Sequence, residues 1–276
     1  MSDDAPRNPI ATARVLYDDP GTDRVTVRRG IPYRTDRPEP LALDVYVPEQ
    51  AEPGALLPAV IIVIGYPGEG FARMIGCRAT EMGPVVSWAR LLAASGLAAI
   101  TYENATPADD FAAVLAYVHE NAAELGVDTG RIGLFASSGN GPLALSSIIG
   151  GSGARVAALA LVYPLTMDVG GGTSVADASA AYKFVNACAG LGVDDLSGDV
   201  PLLLVRAGRD EVAGLNTALD AFAAQAVARN LPLTFVNVPD APHAFDLFAD
   251  GVETRAAVAK VLGFLAAHLG TRTAAA

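Results

Sequence analysis

The sequence predicts an α/β fold: a doubly wound, mostly parallel eight-stranded sheet with helices on both faces and a small lid-like insert. Three observations carry that prediction. Short apolar runs of β type alternate with longer segments of helical period along the middle of the chain. The central runs are continuously apolar, as parallel strands covered on both faces must be. The first two runs are more polar and alternate, which suits an antiparallel edge.

Strands are expected at Val25–Arg34, Leu41–Pro48, Pro58–Ile64, Leu97–Tyr102, Arg131–Phe135, Val156–Tyr163, Pro201–Val205 and Leu233–Val238. Between them, Thr106 stands where it would cap a helix that has Pro107 at its first position and Asp109 in its first turn. Phe111, Val114, Leu115 and Val118 then mark one apolar face. The last helix carries Val258, Val261, Leu262, Leu265 and Leu269 on one side and stops at Gly270. At 276 residues the chain is near the upper size for a single hydrophobic core, so one domain over 1–276 is expected, with the insert at about 165–199.

Composition narrows the function. A hydrophobic content of 51% against 18% charged residues implies a large buried core. A net charge of −11, without a Lys/Arg cluster, argues against nucleic acid or an anionic membrane as a partner. Cys77 and Cys188 sit in no disulfide framework or metal spacing, and the first ten residues lack the basic and apolar regions of a signal peptide. The longest apolar runs fall far short of the roughly 20 residues a bilayer span requires. A cytoplasmic protein is therefore expected, without metal or cofactor; a homo-oligomer is compatible with the sequence. The Gly150-Gly151-Ser152-Gly153 turn follows a helix and so cannot cradle a phosphate at a helix start.

In such a sheet ligands bind at the carboxyl ends of the strands, which confines the search to four loops. The loop after Arg131–Phe135 reads Ala136-Ser137-Ser138-Gly139-Asn140-Gly141 and enters a helix. A serine on a sharp strand-to-helix turn projects its hydroxyl above the sheet, and the following N–H points toward a developing oxyanion. The same run also reads as an ordinary turn or helix cap.

The stretch RIGLFASSGNGPLAL resembles the nucleophile elbow of α/β-hydrolases, especially the dienelactone-hydrolase-like and prolyl-oligopeptidase-like esterases. Their G-x-S-x-G pattern is departed from twice, by Ala136 and by Asn140, with Gly139 and Gly141 beside the latter. Ser138 is the better nucleophile, because choosing Ser137 would put Phe135 two residues before it.

The resemblance spans about residues 40 to 270 and implies the remaining roles. Asp210, in Gly208-Arg209-Asp210-Glu211-Val212, matches the family's acid loop, with Glu211 as a fallback and helix capping as the competing reading. His243, in Ala241-Pro242-His243-Ala244-Phe245, matches the histidine loop. Of the other histidines, His119 reads as solvent-facing on a helix and His268 as a cation in a last helical turn. The order Ser138, Asp210, His243 is the α/β-hydrolase order. The loop Gly65-Tyr66-Pro67-Gly68-Glu69-Gly70-Phe71 resembles a GYGGF-type oxyanion loop, which implies Tyr66, by hydroxyl or N–H, together with the Gly139 N–H.

The expected activity is hydrolysis of small to medium carboxylic esters through an acyl-serine, with substrate choice set by residues 165–199. Three alternatives stand beside it: lactone hydrolysis, whose enzymes in this group normally use cysteine; peptidase action, whose propeller domain is missing; and a non-catalytic binding protein on the same fold.

Overall fold

The computed structural model describes residues 8–52, 54–150 and 156–270. The sequence features at residues 1–7, 151–155 and 271–276, including most of the Gly150–Gly153 turn, lie outside them. Eight strands form one sheet: β1 (Val25–Arg34), β2 (Leu41–Pro48), β3 (Leu57–Ile62), β4 (Ala98–Tyr102), β5 (Val127–Ser137), β6 (Ala158–Val162), β7 (Leu202–Ala207) and β8 (Leu233–Val238). Their spatial order is β1-β2-β4-β3-β5-β6-β7-β8. β1 and β2 are antiparallel to their neighbours, and every later pairing is parallel.

Every residue of β4 and β6 is buried. Successive side chains of a strand point to opposite faces, so both faces of the sheet are covered. β1 alternates between exposed and partly buried residues and forms one edge. The expected strand limits agree with these within a few residues; the largest difference is β5, which begins at Val127 rather than Arg131 and pairs Leu57 with Val127.

The helices are α1 (Pro9–Thr12), α2 (Gly68–Ile75), α3 (Gly83–Ala94), α4 (Pro107–Glu120), α5 (Ala122–Leu125), α6 (Gly141–Ser146), α7 (Ser174–Tyr182), α8 (Leu215–Ala228), α9 (Phe245–Phe248) and α10 (Val252–Leu269). α10 ends at Gly270 in the left-handed region, as the sequence predicts. α4 starts at Pro107, but the Thr106 side chain makes no capping bond. The Asp110 carboxylate instead ties the chain before the helix to its first turn, accepting the Ala105 and Thr106 N–H groups at 2.7 Å each while Arg34 and Arg37 pair with it. His119 also departs from its solvent-facing expectation: it is half-buried, with Nε2 enclosed.

The strand order turns back between β3 and β5. The chain leaves β3 outward to β4 and then returns to lay β5 on the other side of β3. Loops leaving two neighbouring parallel strands in opposite directions open a crevice at their carboxyl ends. Val63 N–H donates to Phe135 at 2.9 Å, which holds the two departing loops together at that point. Among the described residues no helix is long and apolar enough to cross a membrane.

Candidate active site

β5 is driven to the centre of the sheet by its apolar run Ile132–Ala136, of which every side chain except that of Gly133 is buried hydrocarbon or aromatic. It delivers Ser137 and Ser138 to the crevice. Ser138 adopts φ of +55°, in the left-handed region that costs a non-glycine residue about 1–2 kcal/mol. That backbone turn lifts its hydroxyl out of the sheet, and a 3₁₀ turn over Ser138–Asn140 leads directly into α6. The glycine after Asn140 is required by packing: a Cβ on Gly141 would lie 2.0 Å from the Leu165 carbonyl oxygen.

Ser138 Oγ lies 2.9 Å from His243 Nε2, and His243 Nδ1 lies 2.7 Å from an Asp210 carboxylate oxygen. The Asp210 side chain is fully buried, whereas the imidazole keeps a quarter of its surface exposed. The other Asp210 oxygen accepts the Val212 N–H at 2.9 Å, so the carboxylate is fixed from two sides. The capping role read for Asp210 is thus a two-residue turn bond within its own loop, made alongside the imidazole contact. Glu211, the fallback acid, makes neither contact with His243; Asp210 does.

The loops carrying the acid and the histidine are packed backbone to backbone. Gly208 N–H donates to Val238 at 2.8 Å and Arg209 N–H to Ala241 at 2.9 Å. A Cβ at Gly208 would come 2.1 Å from the Pro239 carbonyl oxygen, so only glycine permits this approach. Gly208 of the Gly-x-Asp pattern therefore sets the spacing between Asp210 and His243.

Tyr66 stands opposite. Its hydroxyl would be 2.5 Å from a Cβ on Gly139, which places it over the backbone next to Ser138. Burial pushes its pKa up to about 12. Phe71 and Phe184 hold the ring, with centroids at 5.3 and 6.0 Å. Asn140 ties this loop to the elbow: its Oδ1 accepts the Gly65 N–H at 2.7 Å and its Nδ2 donates to the Ser137 carbonyl at 2.9 Å. Asn140, the second of the two departures from G-x-S-x-G, is the clamp between the two loops.

A cavity of about 180 Å³ adjoins Ser138 and His243. Its wall is apolar, with Ile10 of α1, Phe71 and Met74 of α2, Val85 and Trp88 of α3, and Phe135 of β5. Residues 165–199 contribute nothing to that wall; they meet the site through Phe184 against Tyr66, through the Leu165 N–H, which donates to the Ser138 carbonyl at 3.0 Å, and through the Val185 N–H, which donates to the Gly65 carbonyl at 2.8 Å. The insert instead buries Val175, Ala178 and Phe184 together with Leu215 and Leu219 of α8. The insert expected to set substrate choice thus stands outside the wall of this cavity, which α1, α2 and α3 build. The sequence offered one signal for it: the apolar pattern Phe71, Met74, Ile75 on the helix that follows Tyr66.

No family profile matches the chain, and no curated protein matches it. Solved structures do. Among the similar ones is a fungal esterase from Rhizomucor miehei, 18% identical, with a TM-score of 0.69 over 89% of this chain and 84% of that one. A bacterial heroin esterase is also 18% identical, with a TM-score of 0.68 over 92% and 87%. An α/β-hydrolase enzyme from the metagenome of Lake Arreo, Spain, is 23% identical, with a TM-score of 0.69 over 93% and 86%.

Proposed function

From a chain with the α/β-hydrolase fold, we propose a serine hydrolase that cleaves carboxylic esters of small to medium size. The observation that carries this reading is the unbroken contact from Ser138 Oγ through the His243 ring to the buried Asp210 carboxylate. Three polar side chains from three loops, meeting at one sheet rim beside an apolar cavity, have no evident structural purpose of their own.

His243 Nε2 takes the hydroxyl proton as Ser138 attacks the ester carbonyl, and returns it to the leaving alcohol. Asp210 accepts the Nδ1–H, which fixes the tautomer and stabilises the imidazolium. The carbonyl oxygen becomes an oxyanion between the Gly139 N–H and the Tyr66 hydroxyl. The raised pKa of Tyr66 keeps that hydroxyl a proton donor across the neutral and alkaline range. Water, activated by the same imidazole, then releases the acid. The cavity beside Ser138 receives the acyl group. An apolar cavity of roughly 150 Å³ accommodates benzene, so about 180 Å³ suits a short chain or a single ring.

The test is hydrolysis of p-nitrophenyl acetate and butyrate together with labelling by a fluorophosphonate. Turnover and labelling that both vanish in Ser138→Ala support the reading. Absence of turnover over a range of acyl lengths, with no labelling, would assign the fold to binding instead.

A further inference from the structure

Behind the catalytic contacts lies a second polar chain. Asp246 is 1% exposed, three residues beyond His243, in the wall of the same cavity. Its Oδ1 accepts the Tyr163 hydroxyl at 2.6 Å and its Oδ2 accepts the Trp88 indole N–H at 2.9 Å. Tyr163 presents its ring edge-on to His243, with centroids 4.9 Å apart, and also contacts Phe245 at 5.7 Å. Trp88 packs against Phe135, three residues before Ser138, at 4.5 Å. The Asp246 carbonyl accepts the Leu16 N–H at 2.7 Å, which ties down the segment that follows α1 and Ile10.

This arrangement is costly in isolation. Tyr163 sits at φ of +37° and Ala244 at +54°, both left-handed positions occupied by residues with a Cβ. Burial pushes the Asp246 pKa up, while the Tyr163 and Trp88 bonds oppose that shift. Strained backbone persists where surrounding contacts over-determine it, and here the contacts converge on one carboxylate. Asp210 meets Nδ1 and Ser138 meets Nε2, and a ring held at those two atoms can still rock about the line that joins them. The Tyr163 edge bears on the ring itself and removes that freedom.

We propose that Asp246 is a positioning residue: by locking Tyr163 against His243 and Trp88 against Phe135, it holds the imidazole in line with Ser138 and fixes the shape of the acyl cavity. The proposal rests on the hydrolase reading above. Misplacement of a reacting group by an ångström costs on the order of a hundredfold in rate, so even partial release of the ring is measurable.

The experiment compares Asp246→Ala, Asp246→Asn and Tyr163→Phe in the full chain, with kcat expressed per site titrated by a fluorophosphonate. Asn can keep both bonds, because its Oδ1 accepts from Trp88 while its Nδ2 donates to a Tyr163 hydroxyl that reverses its role. Asp246→Ala is expected to lower kcat per titrated site by about tenfold or more, with Asp246→Asn recovering to within about threefold of wild type. A purely structural role would lower only the number of titrated sites. An unchanged kcat per site in Asp246→Ala overturns the proposal, and so does an Asp246→Asn variant as slow as Asp246→Ala. Should Asp246→Ala fail to fold, Tyr163→Phe decides: several-fold slower per site supports the lock, and a wild-type rate removes it. The imidazole ¹H–¹⁵N signals of His243 give a readout without turnover. They are expected to broaden in Asp246→Ala and to stay sharp in Asp246→Asn. Should the wild-type protein prove inactive, the hydrolase reading fails on turnover while these signals still judge the lock.

Discussion

The Asn140 side chain bridges the loop that carries Tyr66 and the turn that carries Ser138, taking the Gly65 N–H at 2.7 Å and giving a hydrogen bond to the Ser137 carbonyl at 2.9 Å. Removing it with Asn140→Gly restores the G-x-S-x-G spelling and yet should weaken the enzyme. The Gly65 N–H, partly buried, loses its acceptor, at about 1–3 kcal/mol. The loop carrying Tyr66 then drifts from the elbow. Stability is expected to fall by that amount in urea melts, with kcat reduced about tenfold and KM little changed. An Asn140→Gly protein as stable and as fast as wild type would show that the bridge is incidental.

Tyr66→Phe isolates the hydroxyl, since Phe71 and Phe184 continue to hold the ring. Loss of one oxyanion donor lowers kcat by about 10²–10³-fold, and KM should stay near its wild-type value. The pH profile is a second check. Burial raises the Tyr66 pKa to about 12, so the protonated, donating form is favoured and is lost only as pH rises through that value. No descending limb from Tyr66 should be seen below about pH 10. A limb in that range, absent from Tyr66→Phe, would contradict the assignment.

How much of this was legible in the sequence depends on the range over which each signal acts. Ile132–Ala136 and Leu202–Val205 announce buried parallel strands locally, and the parallel-sheet rule narrows the search to the loops after such strands, among which the α/β-hydrolase resemblance picks out Ser138, Asp210 and His243. Asn140 could be seen only as a departure from a pattern, because its meaning lies in Gly65, seventy-five positions away. The tie at the start of α4 is hidden for a related reason: Asp110 accepts the Ala105 and Thr106 N–H groups while it pairs with Arg34 and Arg37, from a distant strand and the loop after it. Asp246 carries no local motif at all, since its partners Trp88 and Tyr163 come from α3 and the end of β6. Side-chain bonds across elements are where sequence reading runs out.

Gly208→Ala tests the approach of the acid and histidine loops. The added methyl would stand 2.1 Å from the Pro239 carbonyl oxygen, a backbone atom that cannot swing aside. The loops must separate, and the Asp210–His243 contact of 2.7 Å opens with them. Overpacking of this kind costs about 1–3 kcal/mol in stability. Loss of the oriented imidazole should reduce kcat by at least about a hundredfold. Gly263→Ala on α10, where a Cβ meets open space, is the control and should leave both quantities within error.

The cavity makes a prediction about substrate length. Val85 of α3 is 6% exposed and lines the wall beside Trp88, so Val85→Phe projects a ring into a volume of about 180 Å³. An acetyl group needs almost none of that space, whereas a hexanoyl chain needs most of it. Each methylene excluded from an apolar pocket is worth about 1–3 kcal/mol in kcat/KM. The ratio of kcat/KM for p-nitrophenyl hexanoate to acetate should therefore fall by at least about tenfold in Val85→Phe, with acetate itself nearly unaffected. The opposite substitution, Val85→Ala, enlarges the space and should move the optimum toward longer chains. Equal losses for both esters in Val85→Phe would mean that the acyl group binds elsewhere and that this cavity holds the alcohol side, which matched acetate esters of ethanol and hexanol would then reveal.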